Sequence, residues 1–293
     1  MRYWWVALAL IGCGHDEAAR PATPPTPAVK RDAAIAAPDA EPELPAHQRY
    51  RDLEAALAAI IPSDARVIGF GELHSRVDRA NVRSSLSWFT AALPGFAAKL
   101  SDLVIETWLV DPNCGQEAVA ATKRVEAAVK RPEATKSEIA LLADAAKAAK
   151  VQPHAMRLSC GDYKQISPMG KEPDPIAMLT ITTRELARIA ASAVAHRDKD
   201  PAHRPWIAVY GGALHNDRFP EQSVAEWSYA AVADKASGGK FVEIDLIVPE
   251  LAAADDTSTR QPWFPIAEAP HDDVAVWTRG ERSFVVVLPT ARR

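Results

Sequence analysis

Short apolar runs alternate with longer amphipathic stretches along most of this chain, and this alternation limits its fold more than any other feature. The apolar runs predict strands at residues 66–70, 103–105, 152–159, 206–210, 242–248, 274–277 and 284–288. Stretches with apolar residues at helical spacing predict helices at 51–61, 78–93, 116–130, 135–150 and 176–197. Alternating strands and helices predict an α/β fold, with a mostly parallel sheet covered by helices on both faces. The last strands have little helix between them, which predicts an antiparallel C-terminal edge.

The N-terminus has the features of a secretion signal. Arg2 precedes an unbroken apolar run at 3–12, which is shorter than the roughly 20 residues that span a bilayer. The run ends in LIGC at 10–13, the pattern that a lipoprotein signal peptidase reads. The sequence therefore predicts a signal peptide at 1–12 and lipidation of Cys13, which anchors the protein to a membrane on the periplasmic or cell-surface side. The alternative is an ordinary signal peptide in which Cys13 is incidental.

The composition changes after the cysteine. Residues 13–46 are rich in Pro and Ala and show neither strand nor helix periodicity, so we expect a disordered tether there. Residues 47–293 are expected to form a single α/β domain. The formal net charge is -4 and the basic residues are scattered, which argues against a nucleic-acid partner.

The chain has three cysteines, and two of them remain if Cys13 is lipidated. Cys114 follows the second predicted strand and Cys160 closes the third. Neighbouring parallel strands lie about 4.8 Å apart, so residues beyond their ends can reach disulfide distance. Export to an oxidising compartment also favours a Cys114–Cys160 disulfide. The alternative is a pair of buried free thiols.

Acidic and imidazole side chains follow three of the predicted strands. Glu72 and His74 come after the first strand, Glu106 after the second, and His215 after the fourth. Glu72 and His74 are two residues apart, so in an extended segment they point to the same side. Ligands of parallel α/β sheets bind beyond the carboxyl ends of the strands. We therefore expect these four side chains to share one cleft.

Each of these residues also has an ordinary structural interpretation. Glu72 can cap the following helix, and a single histidine is more often a hydrogen-bonded structural residue than a ligand. Glu106 can be a strand end held by a salt bridge, because an ionised carboxylate directly after an apolar run needs a charged partner or a metal. Arg76 and Arg79 lie nearby in sequence and are candidates to pair with these carboxylates or to bind an anionic group of a substrate.

The motifs resemble a known superfamily. GELH at 71–74, Glu106 after a strand, and GGALH at 211–215 resemble the erythromycin esterases, ChaN-like haem-binding lipoproteins and Tiki/TraB-type proteins. The resemblance covers about 66–248. The spacing of Glu72 and His74, with one residue between them, is similar to that of the ChaN-like Gly-Glu-x-His. The esterases have one more residue between Glu and His. Two features differ from ChaN-like chains: no further histidine occurs at 75–81, and His215 does not follow a glycine directly.

Two functions remain open at this point. The first is a hydrolase acting on a small-molecule or peptide ligand, with its site at Glu72, His74, Glu106 and His215. These four residues would either hold a divalent metal that activates water, or act without metal as a histidine base with an orienting carboxylate. The second, implied by the ChaN-like resemblance, is a non-catalytic haem or iron carrier. Its axial ligand would be a histidine, Tyr163 or Tyr210.

Overall fold

A computed structural model describes residues 44–200 and 202–290. The predicted signal peptide, Cys13 and all but the end of the predicted tether lie outside these residues. The strands are β1 (Gln48–Tyr50), β2 (Val67–Glu72), β3 (Leu100–Leu109), β4 (Gln152–Arg157), β5 (Trp206–Gly212), β6 (Phe241–Ile247), β7 (Val274–Gly280) and β8 (Ser283–Val287). The helices are α1 (Leu53–Ile60), α2 (Ser85–Phe96), α3 (Gly115–Val129), α4 (Ala134–Ala148), α5 (Cys160–Ile166), α6 (Pro175–Arg197), α7 (Ala213–Asn216), α8 (Ala230–Ala236), α9 (Pro249–Ala252) and α10 (Phe264–Glu268).

The strands form one eight-stranded mixed sheet in the order β1-β7-β8-β6-β2-β5-β3-β4. All neighbours from β8 to β4 pair in parallel, while β7 pairs antiparallel with both β8 and β1. The predicted α/β class, with a mostly parallel sheet and antiparallel pairing at one edge, is therefore confirmed. One detail differs, because the outermost strand at that edge is the N-terminal β1 rather than a C-terminal strand.

Buried apolar side chains form separate clusters around the sheet. Alternate residues of a strand point to opposite faces. Ile68 and Phe70 of β2 pack in one cluster with α1, α2 and α4. Val67 packs in another with α3, α5, α6 and α8. None of the described helices is both long enough and apolar enough to cross a membrane.

The segment between β3 and α5 is closed by a covalent bond. Cys114 and Cys160 form a disulfide with their Cα atoms 5.2 Å apart, which confirms the predicted pairing. This bond links the start of α3 to the start of α5. Helix α3 ends at Lys130, which adopts the left-handed conformation, and the next residue, Arg131, begins the turn into α4. The side chain of Arg131 reaches the carboxyl edge of the sheet.

Candidate functional site

The four predicted site residues lie at the carboxyl edge of three adjacent strands. Glu72 is the last residue of β2, and His74 follows in the connecting segment. Glu106 lies in β3, directly after Ile105, where the pairing of β3 with β4 becomes irregular. His215 lies on α7, which begins directly after β5. Because β3 and β2 flank β5, the parallel sheet brings all four to one edge.

His74 bridges the two carboxylates. Its Nδ1 lies 2.9 Å from Glu72 Oε1, and its Nε2 lies 3.6 Å from Glu106 Oε1. Burial lowers the pKa of His74 and the charge of Arg131 lowers it further, but the two carboxylates outweigh both, so the net shift is upward. The side chain keeps 33% of its surface exposed, so protons and small molecules can reach the ring.

Glu72 is fixed from its other side by a tyrosine. The hydroxyl of Tyr210 donates to Glu72 Oε2 over 2.5 Å, and both residues are buried. Burial and the neighbouring carboxylate raise the pKa of Tyr210 well above 10, so the hydroxyl keeps its proton and remains a donor. One Glu72 oxygen is therefore held by Tyr210 while the other faces His74. This arrangement sets the orientation of the imidazole.

Glu106 is held in its ionised form. Its Oε2 accepts a hydrogen bond of 2.6 Å from the backbone N–H of Gly212. Burial raises the pKa of Glu106, but the charges of His74, of His215 when it is protonated, and of Arg131 outweigh that effect and lower it. Because only 12% of the side chain is exposed, water screens these charges weakly.

Two glycines make room for this arrangement. A Cβ atom on Gly211 would lie 2.5 Å from Glu106 Oε2, and one on Gly212 would lie 2.9 Å from His74 Nε2. Both distances are shorter than van der Waals contact. The Gly-Gly pair at the end of β5 is therefore required for the carboxylate and the imidazole to lie against the backbone.

Arg131 is a site residue that the sequence analysis did not identify. Its Nη2 lies 2.8 Å from His74 Nε2 and 3.5 Å from Glu106 Oε1. A guanidinium N–H can only donate, so the contact with Nε2 is a hydrogen bond when the ring is uncharged. When the ring is protonated, both cations face the Glu106 carboxylate. Protonation of Nε2 would set two donors against each other at this distance, so Arg131 has to move away from Nε2 when His74 gains a proton.

His215 is uncharged near neutral pH. Only 4% of the residue is exposed, and its Nδ1 lies 2.8 Å from Thr183 Oγ1 and 3.1 Å from the carbonyl oxygen of Trp227. Burial lowers the pKa of His215, and the positive charges of His74 and Arg131 lower it further. The negative charge of Glu106 raises it, but the net shift is downward. His215 makes no hydrogen bond with the other three predicted residues, but its charge and that of Glu106 influence each other's pKa.

Helix α7, which carries His215, is anchored by its neighbour Asn216. The amide of Asn216 donates to the carbonyl of Gly69 and to Asp245 Oδ1, each over 3.2 Å. These bonds reach β2 and β6, the strands that pair with each other beneath the site. The position of His215 is therefore tied to the centre of the sheet.

The two arginines predicted to bind substrate form no hydrogen bond or ion pair with the four site residues. Arg76 and Arg79 are exposed at a short turn, and Arg76 pairs with Asp78 over 3.1 Å. The tyrosines considered as haem ligands are also engaged, since Tyr163 donates its hydroxyl to the carbonyl of Leu109 and Tyr210 donates to Glu72.

Within the described residues, no group of three or more His, Cys, Asp or Glu side chains is arranged to hold a metal ion. The cation beside His74 and Glu106 is instead the guanidinium of Arg131. A partly open cavity of about 10 Å³, which is room for roughly one water molecule, lies beside His74 and is not lined by His215. Its polar lining consists of Glu72, His74, Glu106, Arg131, Thr135 and Tyr210.

Comparisons with known proteins give only distant similarity. No family model matches the chain, and no curated protein is similar to it in sequence. Among solved structures, the type III effector HopBA1 is 12% identical with a TM-score of 0.42, over 86% of this chain and 100% of that one. A protein from Bacillus cereus is 12% identical with a TM-score of 0.35, over 66% of this chain and 68% of that one.

Proposed function

We propose that this chain is an exported lipoprotein, anchored through Cys13, whose domain hydrolyses an acyl bond without a metal. The proposal is carried by one observation: two histidines lie at one sheet edge in unlike surroundings. His74 lies between the carboxylates of Glu72 and Glu106, which favour its protonated form. His215 is buried against Thr183 and the Trp227 carbonyl, and burial favours its neutral form. Environments that separate the pKa values of neighbouring titratable groups are typical of acid/base catalysis. The resemblance of GELH and GGALH to the erythromycin esterases supports the same function, whereas the ChaN-like spacing of Glu72 and His74 favours the alternative of a haem carrier.

The two histidines, His215 and His74, have separate roles in the proposed reaction. His215 accepts a proton from water while the water oxygen bonds to the acyl carbon. Protonated His74 gives its proton to the leaving group as the bond from the acyl carbon breaks. Transfer of the proton from His215 to His74 through solvent then restores both rings, so one water is consumed for each bond cleaved.

The other residues of the site orient His74 and stabilise the charges that the reaction requires. Glu72, fixed by Tyr210, holds His74 through Nδ1, and Glu106 supplies the negative charge that favours protonated His74. The guanidinium of Arg131 is placed to stabilise negative charge that develops on the acyl oxygen. Since Arg131 already provides a cation between His74 and Glu106, these side chains fit a metal-free site better than a metal centre.

Chromogenic p-nitrophenyl acetate and butyrate provide a direct test. We expect slow hydrolysis that a chelator does not affect, and a loss of about a hundredfold in kcat for His74→Gln and for His215→Gln. His196→Gln is the matched control, because His196 is exposed on α6 and away from the site. Wild-type rates in both site variants, or loss of activity on chelation, would contradict the proposal. A Soret band in the purified protein would support the haem carrier instead.

A further inference from the structure

The polar contacts behind His215 determine which of its ring nitrogens can accept a proton. Thr183 Oγ1, His215 Nδ1 and the carbonyl oxygen of Trp227 form a triangle with sides of 2.8, 2.9 and 3.1 Å. Thr183 is buried on α6, and Trp227 is buried in the segment that precedes α8. All three atoms are therefore shielded from water and must satisfy one another.

Only one arrangement of protons suits this triangle. A carbonyl oxygen cannot donate, and the threonine hydroxyl has a single proton. If Thr183 donated to His215 Nδ1, the lone pair of Nδ1 would point toward the carbonyl oxygen 3.1 Å away, and the two would repel each other. If Thr183 donates to Trp227 instead, His215 Nδ1 carries the proton and donates to the Thr183 oxygen and to the carbonyl. Every polar atom is then paired.

We infer that Thr183 and the Trp227 carbonyl are positioning groups that hold neutral His215 with its proton on Nδ1 and leave Nε2 as the proton acceptor. The inference rests on the proposed function only for the catalytic use of Nε2. The tautomer itself follows from the contacts of Nδ1. Thr183 acts through the imidazole and is given no contact with substrate.

The tautomer can be measured without a substrate. In ¹⁵N-histidine-labelled protein at neutral pH, we expect the His215 signals, assigned by their loss in His215→Gln, to show a protonated Nδ1 and a bare Nε2. Thr183→Val removes the hydroxyl at nearly constant volume but leaves the Trp227 carbonyl 3.1 Å from Nδ1, so we expect Nδ1 to stay protonated while its ¹⁵N signal shifts because one hydrogen bond is lost. Thr183→Ser keeps the hydroxyl and should retain the wild-type tautomer.

The matched control is Thr182→Val, because Thr182 is the buried neighbour on α6 and makes no hydrogen bond with His215. A wild-type His215 protonated on Nε2, or a Thr183→Val protein whose Nδ1 signal does not move, would overturn the inference. In the ester assay, Thr183→Val should lower kcat at least about tenfold with KM nearly unchanged. If the tautomer is as expected but His215→Gln hydrolyses esters normally, the proposed function fails and the tautomer assignment stands.

Discussion

Removal of the disulfide is expected to destabilise the domain substantially. The bond joins residues separated by 46 positions, and on the chain-entropy estimate a closed loop of that size contributes about 4 kcal/mol to the free energy of unfolding. A domain of this size changes its Tm by about 2–4 °C per kcal/mol, so the double variant Cys114→Ser, Cys160→Ser should melt about 8–16 °C lower.

Urea unfolding of the wild-type protein, the reduced protein and the double variant provides the assay. Cys160 is exposed, so a thiol reductant can reach the bond, and the reduced wild type should match the double variant. If the free energy of unfolding falls by less than about 1 kcal/mol, the entropic reasoning is refuted, because the bond would then hardly constrain the unfolded chain. Two free thiols in the native protein would refute the pairing itself.

Three further predictions concern other parts of the chain. Gly211→Ala should lower kcat/KM about a hundredfold, because its Cβ would displace Glu106, whereas Gly161→Ala, whose Cβ meets nothing closer than 3.6 Å, should be fully active in the same ester assay. Asp102→Asn should destabilise the domain by about 2 kcal/mol in urea unfolding at pH 7, because Asp102 is buried against a histidine and an arginine. Burial raises the pKa of Asp102, but the histidine and the arginine outweigh this effect, and the net shift is downward. The ionised carboxylate therefore contributes to the free energy of unfolding above about pH 4, and this contribution is lost as the pH falls through the lowered pKa. Cys13→Ser should release the protein into the soluble fraction and abolish fatty-acid labelling; a variant that stays membrane-bound and labelled would contradict the anchor.

Much of the sheet could be predicted from the sequence because buried parallel strands are continuous apolar runs. β5 illustrates this, since every residue of it is buried. β6 is mostly buried as well, although Glu243 and Asp245 interrupt its apolar run. β1 could not be predicted, because it has only three polar or aromatic residues and pairs along one side. The order of the strands is set by how the helices pack, and no local pattern in the sequence records it.

The candidate site was predictable only where it follows strands. Glu72, Glu106 and His215 were found because each comes at or after an apolar run. Arg131 and Thr183 were missed for the opposite reason: one lies in a turn between two helices, and the other lies within a long helix. When a residue reaches a site through tertiary packing, the residues around it in the sequence show no periodic pattern that marks it as a site residue.

The position of β1 also has a mechanical consequence. A force applied to the chain at residue 44 acts first on β1, which pairs through three residues with β7 alone. Strands β7, β8 and β6 separate β1 from β2, where the site begins. Under load, β1 should therefore peel away while the strands that carry the site remain paired, so the domain could be pulled at its N-terminus without distorting the two histidines.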